Sequence, residues 1–472
     1  MRRGLVFGVW LIFVLFVAVF GVLLNVPLVK GDSGTVYIRA DGSIDPLDAP
    51  VSTLDNVTYT LTGNVTSSSD GIVVERDNII IDGDGYAIQD LGAHYGFRGI
   101  DLTGRSNVTI KNTKITGFST GIYLYGCLYI SIFDSSITQI NNILGIYLES
   151  SSNNNIVNNS IAACTNGVGV YGYYNRLSGN NITTDNGCGV VLGDSDNVLC
   201  ENNIAKSSTG VHFYGGNNQN VTRNNITGNY YGIVIYSSTG TNHRISENNL
   251  INNDVGVRVY YASYHVIYHN NFINNTQQAY VDPTHPYYTN IWDDGYPFGG
   301  NYWSDYVGVD SDNDGIGDSW YEINSNNIDH YPLMGMFSDF EVTSEHHIQT
   351  VCNSSMSDFQ FNGTAISFDV TGDNGTAGFC RICIPTALMN ATYTVFVNGT
   401  EVSSNLLPCS NETYSYLYFN YTHSTQEVII IPEFPSSIIM PLFMVATIIT
   451  AAIHKRKNRQ KSLNPKRNSC NH

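Results

Sequence analysis

One pattern, written eight times between Asn107 and about Asn275, leaves this chain very few folds to adopt. Each copy sets an apolar residue behind a polar pair, at Ile115, Ile137, Ile161, Ile182, Ile204, Ile226, Leu250 and Phe272. Five residues before each lies a second apolar column: Ile110, Ile132, Ile156, Leu177, Leu199, Val221, Ile245 and Ile267. A glycine column, Gly121, Gly145, Gly167, Gly189, Gly210, Gly232 and Gly256, keeps the same step of about 22 residues. That period is too short for paired-helix repeats and lacks the leucine pattern of leucine-rich repeats.

Within each copy the period is two. In "GIYLYG" and its equivalents, apolar residues alternate with Tyr, His, Arg or Val, which predicts short strands with one face buried. Three strands and three turns per coil, stacked at roughly 4.8 Å, make the chain all-β: a right-handed parallel β-helix, a solenoid of about 22 residues per coil. Asn159, Asn180, Asn202, Asn224, Asn248 and Asn270 share one turn position. Stacked amides there hydrogen-bond along the axis and tolerate a left-handed backbone.

The net charge of −18 understates how acidic the body is. Arg2, Arg3, Lys30 and seven bases from Lys455 to Arg467 occupy the ends, leaving residues 31–433 with 40 acids against 12 bases. Such a body repels phosphate backbones, so nucleic acid is not expected as a partner. Residues 1–30, where Arg2 and Arg3 precede the apolar run Leu5 to Leu24, read as a secretory signal or N-terminal anchor. Residues 431–472 read as a membrane anchor with a basic tail. The apolar run Ile438 to Ile453 leads into His454-Lys455-Arg456-Lys457, which places the tail in the cytoplasm and the body outside. Both apolar runs are expected to be helical. Fifteen Asn-x-Ser/Thr acceptors between Asn56 and Asn420 agree with an exported glycoprotein.

Between the ends, residues 31–106 read as the first coils with the end-cap that a solenoid requires, since a terminal coil exposes unpaired strand edges. Residues 107–290 are the regular coils, 291–338 a C-terminal cap, and 339–430 a small β-sandwich with strands such as "ATYTVFVNGT" and "YSYLYFNYT". The coils, with "YIRADGSIDP" (37–46), "GIVVERDNIIIDGDGY" (71–86) and "GNYWSDYVGVDSDNDGIGD" (300–318), resemble the NosD-type family of β-helices, and its archaeal cell-surface members in particular. That family is related to the fold shared by carbohydrate-binding proteins and sugar hydrolases. "IPEFP" (431–435), ahead of an apolar run and basic tail, resembles the PEF-type sorting signals processed by archaeosortases. The resemblance implies a protein tethered at the cell surface and, through the family name, an association with copper.

Three constellations are candidates for function. Asp310, Asp312 and Asp314 alternate, with glycine at the sixth position, as a calcium loop needs; the Ile316 carbonyl and Asp318 complete the candidate ligand set for a structural Ca²⁺. Position twelve is Tyr321 where a full EF-hand has Glu. The second is a stripe of outward tyrosines, Tyr125, Tyr171, Tyr214, Tyr236 and Tyr260, which can either stack on glycan rings or stack on one another. The third is the pair His243 and His265, sharing one column with His269 nearby. Surface histidines at turns are the plainer account of that pair.

Catalysis is the competing expectation. Glycoside hydrolysis needs two carboxyls roughly 5–10 Å apart, whereas the acids of the regular coils are scattered and no catalytic constellation is recognisable. A soft copper site wants Met or Cys clusters, yet no Met lies between residues 31 and 333. The sequence therefore reads as an exported, membrane-anchored binding or structural module for surface glycans. A polysaccharide lyase or hydrolase on the same fold is the alternative, and a copper-handling accessory protein a further one. Cys352, Cys380, Cys383 and Cys409 allow three disulfide pairings.

Overall fold

A computed structural model describes residues 33–92, 96–236, 240–284, 287–389 and 392–432. The N-terminal apolar run, the anchor segment from Glu433 onward and the acceptor at Asn390 lie outside the described residues. Among the described residues there is no helix, and so none long and apolar enough to cross a membrane.

The apolar columns become the interior of a β-solenoid of about ten turns. Each regular coil has three short strands, as in Val108–Lys111, Lys114–Thr116 and Thr120–Tyr125. Every strand pairs in parallel with its equivalent one coil on, so like residues meet. Ile110 opposes Ile132, which opposes Ile156; Ile115 opposes Ile137; Ile122 opposes Ile146 and then Val168. All of these are fully buried. At roughly 1.5–3 kcal/mol for each buried aliphatic side chain, the stack is held by a continuous apolar interior. The irregular first coils join it in register, with Ile81 against Ile110, Ile88 against Ile115 and Ile100 against Ile122.

The glycine column has a steric cause. A Cβ on Gly121 would lie 2.4 Å from the Gly145 carbonyl oxygen and 2.5 Å from Ile137 Cγ2; one on Gly167 would meet Gly189 O and Ile182 Cγ2 just as closely. Each coil therefore presses its backbone onto the next at this corner, where no side chain fits.

Amides stack along the turns. Asn159 donates to Asn180 Oδ1, Asn180 to Asn202, Asn202 to Asn224 and Asn224 to Asn248, each through both its backbone N–H and its side-chain amide. The left-handed backbone falls one residue earlier than expected, on Asp134, Asn158, Gly179, Glu201, Arg223 and Glu247. The ladder asparagines point inward and bond, while their predecessors turn the chain. Two further ladders were not anticipated. One runs Asn154, Asn175, Asn197, Gln219, His243, His265, Asn290; the other runs Ser207, Asn229, Asn253, Asn275.

The chain forms two compact units. The first holds the solenoid through Ile267, with Phe272–Ile291 and Ile323–Asn327; the second holds Tyr268–Asn271, Trp292–Glu322 and the chain from Ile328. In the second unit, two antiparallel five-stranded sheets share one core. Ile348, Ile382 and Phe419 come from one sheet, Phe368, Val395 and Val428 from the other. In the same unit Asn270 donates to Asn301 Oδ1, and Asn301 and the Trp303 indole N–H donate to Asp329 Oδ2 at 2.7 and 2.8 Å.

Candidate functional site

Strand alternation puts every second residue of the third strand set on the outer face. One row there runs Asp101, Tyr123, Tyr147, Gly169, Val191, His212, Val234, Arg258, Tyr280. Two residues further along the strands, Tyr125 opposes Glu149, Glu149 opposes Tyr171, and Tyr236 opposes Tyr260. Tyr125, Tyr214 and Tyr236 are 47%, 64% and 52% exposed, while Tyr171 and Tyr260 are half-buried. Tyr171 owes its burial to Gly193: a Cβ there would be 2.4 Å from Tyr171 Cδ1, so the ring lies across the glycine.

The rings also touch one another, as parallel strands require. Tyr123 and Tyr147 lie 5.6 Å apart, Tyr147 and Tyr171 5.8 Å, Tyr236 and Tyr260 6.0 Å. The Arg258 guanidinium sits 4.2 Å from the centre of the Tyr260 ring. Self-stacking and exposure therefore coexist: half-buried rings anchor the row, and Tyr125, Tyr214 and Tyr236 are exposed beside them.

At the N-terminal side the face carries charge that the sequence analysis did not single out. Arg98 lies 3.9 Å over the Tyr123 ring and pairs with Asp101. Its backbone N–H donates to Asp70 Oδ1 at 2.8 Å, and Tyr123 Oη donates to Glu149 Oε2 at 2.7 Å. Burial, then the Glu149 carboxylate, push the Tyr123 hydroxyl up; burial raises the Asp70 carboxyl against the pull of Arg98. Each of these acids is thus committed to a partner. The usable signal was "GIDL" (99–102), which shares the register of "GIYL" (121–124) but stands among irregular coils. On a turn of the same unit, a groove of about 590 Å³ is lined by Asp84, Lys114, Asp134 and Asn158, among others.

The Asp-rich loop brings three of its expected ligands together. One oxygen each of Asp310, Asp312 and Asp314 lies within 4.8 Å of the others. Asp310 accepts the N–H groups of Asp314 and Gly315, and Asp314 accepts that of Ile316. Burial raises the carboxyls of Asp310 and Asp314. Asp318 is turned to Ser311, whose N–H it accepts at 3.0 Å, and that contact lowers its pKa. The Ile316 side chain packs with Leu333, Phe337 and Val351.

His243 and His265 are not at the surface. Both are buried, stacked 4.6 Å apart, and each accepts a backbone N–H of the preceding coil on Nδ1. They replace asparagines in a ladder. Burial lowers His243 to about 3 and His265 to about 4, so both are neutral, with the proton on Nε2. Cys188 and His212 approach to 3.9 Å on the outer face.

Parallel coils stacked over one apolar interior define the chain as a parallel β-helix protein. It belongs to the NosD family, described as periplasmic copper-binding protein, whose profile matches residues 35–197 and 179–308. No curated protein matches the chain. Solved structures similar to it include a periplasmic alginate epimerase (14% identity, TM-score 0.36, 48% of this chain and 72% of that one). Others are the A-module of an Azotobacter vinelandii mannuronan C-5 epimerase (14%, 0.35, 50% and 87%) and a pectate lyase (17%, 0.33, 55% and 74%).

The family description prompts a test of the donor set, and the matched segment does not fit copper. It lacks Met. Cys164 opposes Ile140 and Thr184, and Cys200 opposes Ser178 and Thr222, so these thiols do not cluster. The stacked histidines spend Nδ1 on backbone amides and hold protons on Nε2. Cys188 with His212 supplies two donors, and among the described residues the only group of three or more His, Cys, Asp or Glu able to share an ion is the hard, all-oxygen Asp310, Asp312 and Asp314.

Proposed function

We propose that this protein is an exported, membrane-anchored cell-surface module that holds glycans without cleaving them. The carrying observation is the outer row of tyrosines, three of them exposed on one sheet, while the acids beside it are already paired. Tyrosine rings offer apolar faces to sugar C–H groups and hydroxyls to sugar oxygens. In this reading the solenoid is right-handed, the two C-terminal sheets form a small β-sandwich, and the segment from Ile431 is an archaeal PEF-type anchor with its tail in the cytoplasm. Ca²⁺ bound by Asp310, Asp312 and Asp314 fastens the loop within the second unit.

A glycan array probed with the full chain in detergent tests the reading. Retention that falls at least tenfold in Tyr214→Ala/Tyr236→Ala, with the melting temperature unchanged, supports it; no retention of any glycan rejects it. A second reading, a polysaccharide-active enzyme, draws on the groove, where Asp84 and Asp134 both line the wall beside Lys114. It requires new sugar ends to appear from a retained polysaccharide and to be lost in Asp134→Asn.

A further inference from the structure

Cys352 and Cys380 are direct partners on neighbouring antiparallel strands, His346–Cys352 and Ala377–Pro385. Both side chains enter the same apolar core and are 1% and 0% exposed. Directly opposed residues place their Cα atoms about 4.5 or 5.5 Å apart, inside the span of about 4.4–6.8 Å that a disulfide bridges.

Cys383, three residues on, faces the other side of its strand. It clusters there with Leu407, Tyr416 and Tyr418, and Cys409 packs against the same group. Tyr416 opposes Cys383 in register, and the turn bearing Cys409 closes around it: Leu407 N–H donates to Tyr416 O at 2.8 Å, and Tyr416 N–H to Ser410 Oγ at 2.9 Å. The other two pairings would each require sulfurs on opposite faces of a sheet to meet.

We propose that, in the oxidising compartment to which the body is exported, the chain carries two disulfides, Cys352–Cys380 and Cys383–Cys409, one on each face of the strand Ala377–Pro385. Each bond forms from two thiols, which lose two protons and two electrons to an oxidising disulfide of that compartment, reduced in turn to two thiols. Tyr421 Oη at 3.3 Å and the Ser354 N–H at 3.4 Å surround the Cys352 sulfur, and contact with Cys380 and these groups lowers its pKa, whereas burial raises Cys383. The four coil cysteines stay reduced.

The sequence supplies a clean test. Arg381 is the one tryptic site between Arg258 and Lys455, and it separates Cys352 and Cys380 from Cys383 and Cys409. Full chain refolded in a glutathione redox buffer, then denatured and digested without reductant, is expected to give fragment 259–381 and the fragment beginning at Ile382 unjoined. Each should be lighter by two hydrogens. Fragments joined to each other, or both at full reduced mass, overturn the pairing. The same digest on protein taken from cells separates this inference from the reading it rests on: reduced fragments there, with bonds in the refolded chain, keep the pairing and count against export.

Discussion

His243 and His265 replace amides in a hydrogen-bonded column, and the replacement has a price in acid. An imidazole that accepts a backbone N–H on Nδ1 must stay neutral to do so. Burial, with the neighbouring ring adding to it at His243, holds the pair at about 3 and about 4, below the ordinary 6.5. The unfolded chain therefore binds protons that the folded chain refuses. The stability that neutrality allows is fully present above pH 6.5 and is lost as the pH falls through about 4 and then about 3. The part lost by pH 4 is on the order of 5 kcal/mol for the two rings. Melting followed by circular dichroism should show the first unit weakening across that window, and His243→Asn/His265→Asn should flatten the profile. An equally steep profile in the double variant would remove these rings as the cause. Their role was hidden in the sequence because a ladder was recognised there by repeated Asn, and Gln219, His243 and His265 break the repeat while keeping the bond. Arg98 and Asp101 escaped for a related reason: their coil keeps the register but not the wording.

At the scale of one coil, the glycine corner and the ladder set the spacing. Gly167→Ala would put a methyl 2.4 Å from the Gly189 oxygen, and adjacent coils cannot part locally without losing strand pairing. A loss of roughly 2–3 kcal/mol is expected in urea unfolding; a change under about 0.5 kcal/mol would show that the corner yields. The columns of Ile, Gly and Asn were legible because a solenoid repeats its environment every coil, so each requirement is printed many times. The Asp-rich loop occurs once, and only its spacing was legible. That spacing named Asp310, Asp312 and Asp314 as ligands, while the closeness of their oxygens and the turn of Asp318 toward Ser311 took coordinates to see. Three of the four tryptophans, Trp292, Trp303 and Trp320, lie in the second unit, so tryptophan fluorescence reports mainly on it. Saturating Ca²⁺ should raise its melting point, by about 2.7 kcal/mol of added stability at a hundredfold excess over Kd, and Asp312→Asn should abolish the gain. A melting point indifferent to Ca²⁺ and chelator would remove the metal.

For the molecule as a whole, the proposed function rests on a repetitive wall. From Tyr125 to Tyr260 the outer row crosses six strand spacings, roughly 29 Å, with ring faces presented at intervals along it. The repeat pointed to such a wall, since it sets Tyr125, Tyr171, Tyr214, Tyr236 and Tyr260 in one row, and the acidic body argued against nucleic acid as what it meets. Which tyrosines are free was not legible: Tyr171 looked like Tyr214 until its ring was found lying over Gly193. The most direct measurement is affinity against oligosaccharide length for a glycan retained by the full chain. The wall predicts affinity that climbs with each added sugar well beyond a disaccharide, falls in Tyr214→Ala/Tyr236→Ala, and leaves the oligosaccharide intact. Affinity already complete at one or two sugars, or an oligosaccharide shortened during the measurement, would contradict it.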